Sequence, residues 1–330
     1  MEKDLSQTLP EDNQEVSEDI VAQTLCGVVI LGAPGTGKTT FCKALSEFLT
    51  QLDRKHAIVN LDPANDNMEY KCTIDVQELI RLEEVMEEFK LGPNGGMIYC
   101  LEFLQQNKDW LKEQILNVYR KDGTKYFIFD LPGQVEIYTN HSALRETLSS
   151  LVKELPMQVS ALHLVDASYL YDKHRFLSAL SLSLTATIGL ELPFINAISK
   201  IDLLGKLGRP EMSLSFYQSI SGLKYSFIGD EEEGGTSFAN KYGKLSRELC
   251  DLIERFNMVS YTLIDITNKL LMANVLMQID SQNGYFYDPQ KLANAKEREI
   301  DYEGVGQYMD QDAVMDLEEK YLEGNDEGQE

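Results

Sequence analysis

Short apolar runs alternate along the chain with longer segments whose apolar residues recur at helical spacing. Six runs of β-branched, aromatic and other apolar residues predict strands at 27–31, 56–61, 125–129, 161–165, 193–198 and 260–264. Strands that alternate with helices are typical of a parallel sheet joined by crossover helices. We therefore predict an α/β fold with a mostly parallel sheet flanked by helices.

Polar or small residues begin a loop where most of these runs end. They are Gly32, Asp62, Asp130, Asp166 and Ser199. The carboxyl ends of parallel strands meet at one edge of the sheet, and ligands bind at that edge in open α/β folds. We expect a ligand site there.

One segment interrupts the alternation between the fifth and sixth predicted strands. It covers about 205–258 and contains two helical stretches separated by the polar sequence at 231–235. We interpret it as a helical insertion within a single domain that spans 25–296.

Acidic residues are concentrated at the two ends of the chain. The formal net charge is −24, of which residues 1–20 carry −6 and residues 297–330 carry −11. We predict acidic tails at 1–24 and 297–330 that are solvated and disordered, or that order on a basic partner. In the second tail Val314, Leu317 and Tyr321 lie at helical spacing, which fits a short amphipathic helix as well as a solvated segment.

This charge distribution disfavours direct contact with nucleic acid or with an anionic membrane, because affinity for both depends on clustered Lys and Arg. The first twenty residues are polar and acidic, and no run of eighteen apolar residues could span a bilayer. The five cysteines form no C-x-x-C pair, which is typical of reduced core thiols. We expect an intracellular, cytoplasmic protein.

The most specific motif lies directly after the first predicted strand. Residues 32–39 fit the pattern G-x-x-x-x-G-K-[ST], and a helical stretch follows. In such a loop successive backbone N–H groups point at phosphate oxygens, Lys38 supplies a positive charge to the β and γ phosphates, and the Thr39 hydroxyl binds magnesium. We assign nucleotide binding to Gly35, Thr36, Gly37, Lys38, Thr39 and Thr40, and predict a P-loop NTPase that uses Mg²⁺.

The ends of two further strands provide candidates for the metal and for the attacking water. Asp130 begins a D-x-x-G sequence, where it can hold magnesium, while the Gly133 N–H can contact the γ-phosphate. Gln134 follows at once and could orient a water. Asp62, after the second strand, could contact the magnesium shell or the same water, although an Asp-Pro turn needs no function.

The fifth predicted strand ends in a candidate for base recognition. Ser199, Lys200, Ile201 and Asp202 resemble the N-K-x-D sequence that recognises guanine, with Ser in place of Asn. Asp202 would accept hydrogen bonds from the guanine ring N–H and exocyclic amine, and the Lys200 stem would lie over the base. Adenine lacks these donors, so GTP is the expected nucleotide. Because serine is shorter, its contact with the base is weakened or passes through water.

Together with 92–96, which contains Gly92, Pro93 and Asn94, these motifs resemble those of the GPN-loop GTPases. The resemblance covers nearly the whole chain. It implies a GTP-hydrolysing switch that works as a homodimer or as a heterodimer with a paralogue. Asn94 would stabilise the phosphate in the partner's site, where an amide can donate to the developing charge. It further implies a role in the assembly and nuclear import of RNA polymerase II, with polymerase III as a second candidate, and shuttling from cytoplasm to nucleus.

Two other functions stay open at the level of the sequence. A P-loop kinase would use ATP and would need a basic channel for its acceptor. A scaffold would bind nucleotide for stability alone, without hydrolysis.

Overall fold

The structure is a computed structural model of the chain, and it describes residues 24–65, 68–207, 210–220, 222–227, 237–256, 258–285 and 311–322. Seven strands within these ranges form one sheet. They are β1 (Leu25–Gly32), β2 (His56–Asn60), β3 (Ile74–Asp75), β4 (Tyr126–Asp130), β5 (Met157–Asp166), β6 (Phe194–Ser199) and β7 (Tyr261–Leu263).

The strand order is β3-β2-β4-β1-β5-β6-β7, and every neighbouring pair is parallel. The predicted α/β fold with a parallel sheet is thus confirmed, and each of the six predicted strands overlaps an observed one. The two-residue strand β3 was not predicted, because an edge strand of that length has no recognisable pattern. The register places Ile30 beside Asp130 and Asp166 beside Ser199, so the carboxyl ends of four strands share one edge.

Helices connect the strands and cover both faces of the sheet. They are α1 (Lys38–Gln51), α2 (Leu82–Phe89), α3 (Pro93–Gln106), α4 (Lys108–Asp122), α5 (Glu136–Thr139), α6 (Ala143–Glu154), α7 (Lys173–Leu190), α8 (Leu204–Leu207), α9 (Leu214–Ser219), α10 (Ser237–Phe256), α11 (Lys269–Gln282) and α12 (Gln311–Leu322). Short 3₁₀ turns lie at Val76–Glu78, Ala167–Tyr171, Ile201–Leu203 and Leu223–Phe227.

Alternate side chains of β1 point to opposite faces of the sheet. Val29 and Leu31 pack with α3, α4 and α6 on one face, whereas Val28 and Ile30 pack with α1 and α11 on the other. Because both faces are covered, every residue of β1 is buried. This two-sided core fixes the strand ends that carry the polar residues.

A third apolar cluster lies beside β6 and β7 and includes the insertion. The described residues between 205 and 258 are largely helical, and α9 and α10 pack with α7 in this cluster. Helix α12 joins the same cluster through Val314. The polar sequence at 231–235, residues 1–23 of the predicted first tail, and most of the predicted second tail lie outside the described residues. The domain boundaries stay a prediction.

No helix in the described ranges is both long enough and apolar enough to span a lipid bilayer.

Candidate functional site

The loop at residues 32–39 joins the carboxyl end of β1 to the first turn of α1. Its conformation depends on glycine at two kinds of position. Gly35 and Gly37 have φ of 81° and 91°, in the left-handed region that L side chains rarely adopt. At Gly32 an added Cβ would lie 2.6 Å from the Leu164 carbonyl oxygen. The loop therefore wraps tightly against β5.

Helix α1 begins at Lys38, so the N–H groups of its first turn have no carbonyl partner within the helix. They include those of Thr39 and Thr40, which are assigned to nucleotide binding. Backbone N–H groups at a helix N-terminus and the positive end of the helix dipole favour a bound anion. The local structure is that of a phosphate-binding loop.

Lys38 is buried, and its Nζ donates to the Ala33 carbonyl oxygen at 3.3 Å. Burial lowers the pKa of Lys38, whereas the charges of Asp130 and Asp62 favour its protonated form. A buried ammonium with one long backbone contact has donors to spare for an anion in the loop.

Asp130 ends β4 and is buried next to Lys38. Its Oδ2 accepts a hydrogen bond from the Tyr70 hydroxyl at 2.8 Å, and the Thr39 hydroxyl is close enough to stabilise the charged carboxylate. Burial raises the pKa of Asp130. Within the described residues Oδ1 has no hydrogen-bond partner. The Asp130 carboxylate thus has an open coordination position beside a hydroxyl.

This donor set fits Mg²⁺. Magnesium usually keeps several waters and binds one or two carboxylates together with substrate phosphates. Among the described residues there is no cluster of three acidic, His or Cys side chains that could hold a metal without such phosphates. Thr39 and Asp130, both assigned to the metal from the sequence, lie together at the loop.

Two neighbours of Asp130 also contact this region. At Gly133 an added Cβ would lie 2.9 Å from Lys38 Nζ and 3.3 Å from the Pro34 Cα, so a side chain there would press on the loop. Gln134 follows, and its Oε1 is buried with no described hydrogen-bond partner. An amide oxygen in that state can accept a hydrogen bond from a water.

Asp62 lies beyond the end of β2 on a turn that its own side chain stabilises. Its Oδ1 accepts from the Ala64 N–H at 2.9 Å, and the Asn60 amide donates to its carbonyl oxygen at 3.1 Å. The Asp62 charge favours a higher pKa for both Lys38 and Asp130. The structure therefore brings these three charged side chains together, as the sequence indicates.

The end of β6 is tied directly to the phosphate-binding loop. The Ser199 hydroxyl lies 2.8 Å from the Thr36 carbonyl oxygen and 3.2 Å from that of Val165. Lys200 Nζ donates to the Gly35 carbonyl oxygen at 2.5 Å and to Asp166 Oδ2 at 2.7 Å. The Ser199 hydroxyl thus supports the loop backbone, and its predicted contact with a base stays a prediction.

Lys200 itself has φ of 61°, a left-handed conformation that turns the chain sharply into the 3₁₀ turn Ile201–Leu203. Ile201 is buried, whereas Asp202 is exposed. The turn therefore places the Asp202 carboxylate at the surface of the sheet edge, where a ligand can reach it.

Asn94 lies at the start of α3 and is exposed. Gly92 precedes α3, and Pro93 is its first residue. Gly96 lets α3 approach α2, since a Cβ there would lie 2.8 Å from Leu82 Cδ1. In the described part of the chain no hydrogen bond joins Asn94 to the phosphate-binding loop.

Two residues at the site were missed as functional candidates. Asp166 was recognised as a polar strand end, but its ion pair with Lys200 was not predicted. Tyr70, which contacts Asp130, lies in a loop without periodicity and left no signal in the sequence.

Comparison with known proteins finds a matching family model and similar proteins over most of the chain. A family model described as "Conserved hypothetical ATP binding protein" matches residues 30–285. GPN-loop GTPase QQT1 of Arabidopsis thaliana is 39% identical over 298 residues, which cover 90% of this chain and 97% of the relative. GPN-loop GTPase 2 of Danio rerio is 37% identical, with 90% and 92% covered.

A solved structure shares the fold. It is a GTPase in apo form from Pyrococcus abyssi, with a TM-score of 0.63 and 21% identity, over 78% of this chain and 97% of that one. The segments at 162–166 and 318–322 indicate the second of three eukaryotic paralogues, and relatives from several species carry the name GPN-loop GTPase 2. The chain belongs to the GPN-loop GTPase family.

Proposed function

We propose that the protein binds GTP with Mg²⁺ and hydrolyses it as a molecular switch. This proposal rests mainly on a hydrogen bond that connects two motifs. Lys200 belongs to the candidate guanine-binding sequence, and its Nζ donates to the Gly35 carbonyl oxygen in the phosphate-binding loop. One nucleotide placed on the loop would therefore lie within reach of Asp202. Water attacks the γ-phosphorus and the bond to the β–γ bridging oxygen breaks, which yields GDP and inorganic phosphate.

Lys38 and the backbone of 32–39 hold the phosphates. The Lys38 ammonium is already desolvated by burial, so it needs little reorganisation when charge develops on the γ-phosphate. Thr39 and Asp130 would hold Mg²⁺, which supplies charge neutralisation between the β and γ phosphates when it is bound. Gln134 and Asp62 position the attacking water, and the buried Gln134 Oε1 supports this role because no described residue donates to it.

Guanine recognition rests on Asp202 and on the Lys200 stem. The description of the matching family model names ATP, whereas the curated relatives are named GTPases. The exposed Asp202 carboxylate favours GTP, because adenine would leave it without donors.

Replacing Asp202 with Ala tests this choice. We expect GTP affinity to fall about 10–100-fold, because hydrogen bonds to a charged group contribute about 1.5–3 kcal/mol. ATP affinity should stay low and unchanged. Calorimetric titration of both nucleotides measures the effect, and Asp109→Ala, which removes an 86% exposed carboxylate on α4, is the control. Equal affinities for GTP and ATP in the unmodified protein would rule out the proposed GTPase and favour the ATP-dependent kinase.

Tyr70 offers a test of the metal site. Its hydroxyl orients the Asp130 carboxylate, and loss of such a supporting bond typically costs 10–100-fold in metal affinity. We expect Tyr70→Phe to raise the Mg²⁺ concentration needed for half-maximal hydrolysis by about 10-fold or more. A Mg²⁺ titration at saturating GTP checks this, with Tyr225→Phe, at an exposed tyrosine outside the site, as control. An unchanged midpoint would show that Tyr70 does not orient Asp130.

We further propose that two chains complete each other's sites through Asn94, as a homodimer or with a paralogue. The exposure of Asn94 at the start of α3 supports this arrangement. The Phe89 side chain supports it as well, because it is large, apolar and 51% exposed, and it lies three residues before the Gly-Pro-Asn sequence. The proposed biological role, taken from the family resemblance, is RNA polymerase II assembly and nuclear import from the cytoplasm, with polymerase III as a second candidate.

A further inference from the structure

Helix α12 returns from the acidic end of the chain to pack on the body of the protein. Val314 is buried in the apolar cluster formed by the insertion, α7 and β7. Near the middle of the helix, Glu318 Oε2 accepts from the Leu214 N–H at 3.3 Å. These contacts hold α12 against the insertion.

The last turn of α12 contacts the loop that follows β7. The Tyr321 hydroxyl donates to Asp265 Oδ2 at 2.5 Å. Asp265 is only 3% exposed, and its Oδ1 accepts from the Thr267 N–H at 2.8 Å and from the Thr267 hydroxyl at 2.6 Å. Among the described residues, the other donors to the Asp265 side chain come from its own turn, and Tyr321 supplies the long-range one. Burial raises the pKa of Tyr321, which keeps its hydroxyl protonated and able to donate.

The same helix also packs against the 3₁₀ turn Ile201–Leu203, which follows β6 and carries Asp202. Strands β6 and β7 are neighbours, so their carboxyl ends lie side by side. The Asp202 charge adds to the rise in the pKa of Tyr321 that burial causes. Helix α12 thus contacts both the Asp202 turn and, through Tyr321, the Asp265 loop.

We infer that Tyr321 is a positioning residue for guanine recognition, which holds the Asp202 turn through its contact with Asp265. The inference rests on the proposed role of Asp202. Without the Tyr321 hydroxyl, the buried Asp265 carboxylate lacks one of its donors and must take another, such as water. The loop after β7 and the adjacent Asp202 turn then lose a common support, and the carboxylate no longer faces the base in one fixed place.

Tyr321→Phe tests the inference with GDP, IDP and ADP as probes. IDP lacks the exocyclic amine, so it makes fewer contacts with Asp202 than GDP does. We expect the variant to bind GDP about 5–10-fold more weakly, in line with one lost hydrogen bond, and to bind IDP with a smaller loss. The GDP-to-IDP affinity ratio should fall towards one, while kcat at saturating GTP stays unchanged.

Two further variants separate positioning from folding. Val314→Asp, which detaches α12, should lower the GDP-to-IDP ratio in the same way, whereas Met315→Ala, at an exposed position of the same helix, should leave it unchanged. A lower melting temperature with an unchanged ratio in Tyr321→Phe would overturn the inference and leave Tyr321 a structural residue. Equal GDP and ADP affinities in the unmodified protein would instead overturn the proposed function itself.

Discussion

Replacing Asp280 with Ala is expected to lower the free energy of unfolding by about 3–5 kcal/mol, the usual cost of breaking a buried ion pair from one side. Asp280, on α11, forms a bidentate pair with the Arg54 guanidinium, with both hydrogen bonds at 2.8 Å. The two side chains are 2% and 7% exposed. The variant would leave a buried guanidinium without its carboxylate.

The surroundings of Arg54 make that loss hard to relieve. Its guanidinium contacts the rings of both Tyr126 and Tyr285, at 3.9 and 3.7 Å from their centroids. Cation–π contacts with two rings that lie at 78° to each other hold the cation in place, so it cannot turn out to solvent. The pair joins the loop before β2 to α11, at the amino ends of the strands, opposite the proposed nucleotide site. Activity at temperatures where the variant stays folded should therefore change little.

Urea-induced unfolding measures the effect, and two comparisons define it. Glu69→Gln breaks the exposed Lys43–Glu69 pair, at 3.5 Å with side chains 40% and 65% exposed, and should cost no more than about 1 kcal/mol. The double change Arg54→Met with Asp280→Leu should recover much of the lost stability, because it removes both charges. The explanation fails if Asp280→Ala costs no more than Glu69→Gln.

The Arg54–Asp280 pair also shows what the sequence does not reveal. The two residues are 226 positions apart, and each lies in an unremarkable polar context. Hydrophobic periodicity locates strands because each run must be buried, whatever its partner. A charged pair depends on which loops and helices meet, and that is decided only by the packed fold. The strand at Met157–Asp166 is longer than predicted, because Gln158 and Ser160 interrupt the apolar run in the sequence. Ser160 is nevertheless fully buried, which only the packed fold decides.

The site was more predictable than these contacts, for a physical reason. In a parallel sheet the carboxyl ends of all strands share one edge, so polar residues at Asp130 and Ser199 had to lie near the phosphate-binding loop. The 165-residue separation between Gly35 and Lys200 was therefore no obstacle. Tyr70 and Tyr321 reach the same edge from a loop and from a distant helix. Neither position follows from sheet topology.

Asn94→Ala is expected to lower kcat about 100–1,000-fold, the usual effect of removing one donor that stabilises charge in the transition state. GTP affinity should stay the same, since Lys38 and the loop backbone hold the ground-state phosphates. Single-turnover hydrolysis and GTP titration measure the two quantities. An already negligible turnover that does not change in Asn94→Ala or Gln134→Ala would favour a scaffold that binds nucleotide without hydrolysing it.

Mixing two inactive variants tests whether Asn94 acts across a dimer. In a mixed dimer the Asn94→Ala chain provides an intact phosphate-binding loop, and a Lys38→Ala chain provides an intact Asn94. One of the two sites is then complete, so an equal mixture with random pairing should regain about a quarter of the unmodified activity. Each variant alone should stay inactive, because its two sites share the same defect. If mixed dimers form, as shown by differential tags, and no activity returns, Asn94 does not act on the partner's site. The exposed side chain at the start of α3 would then need another explanation.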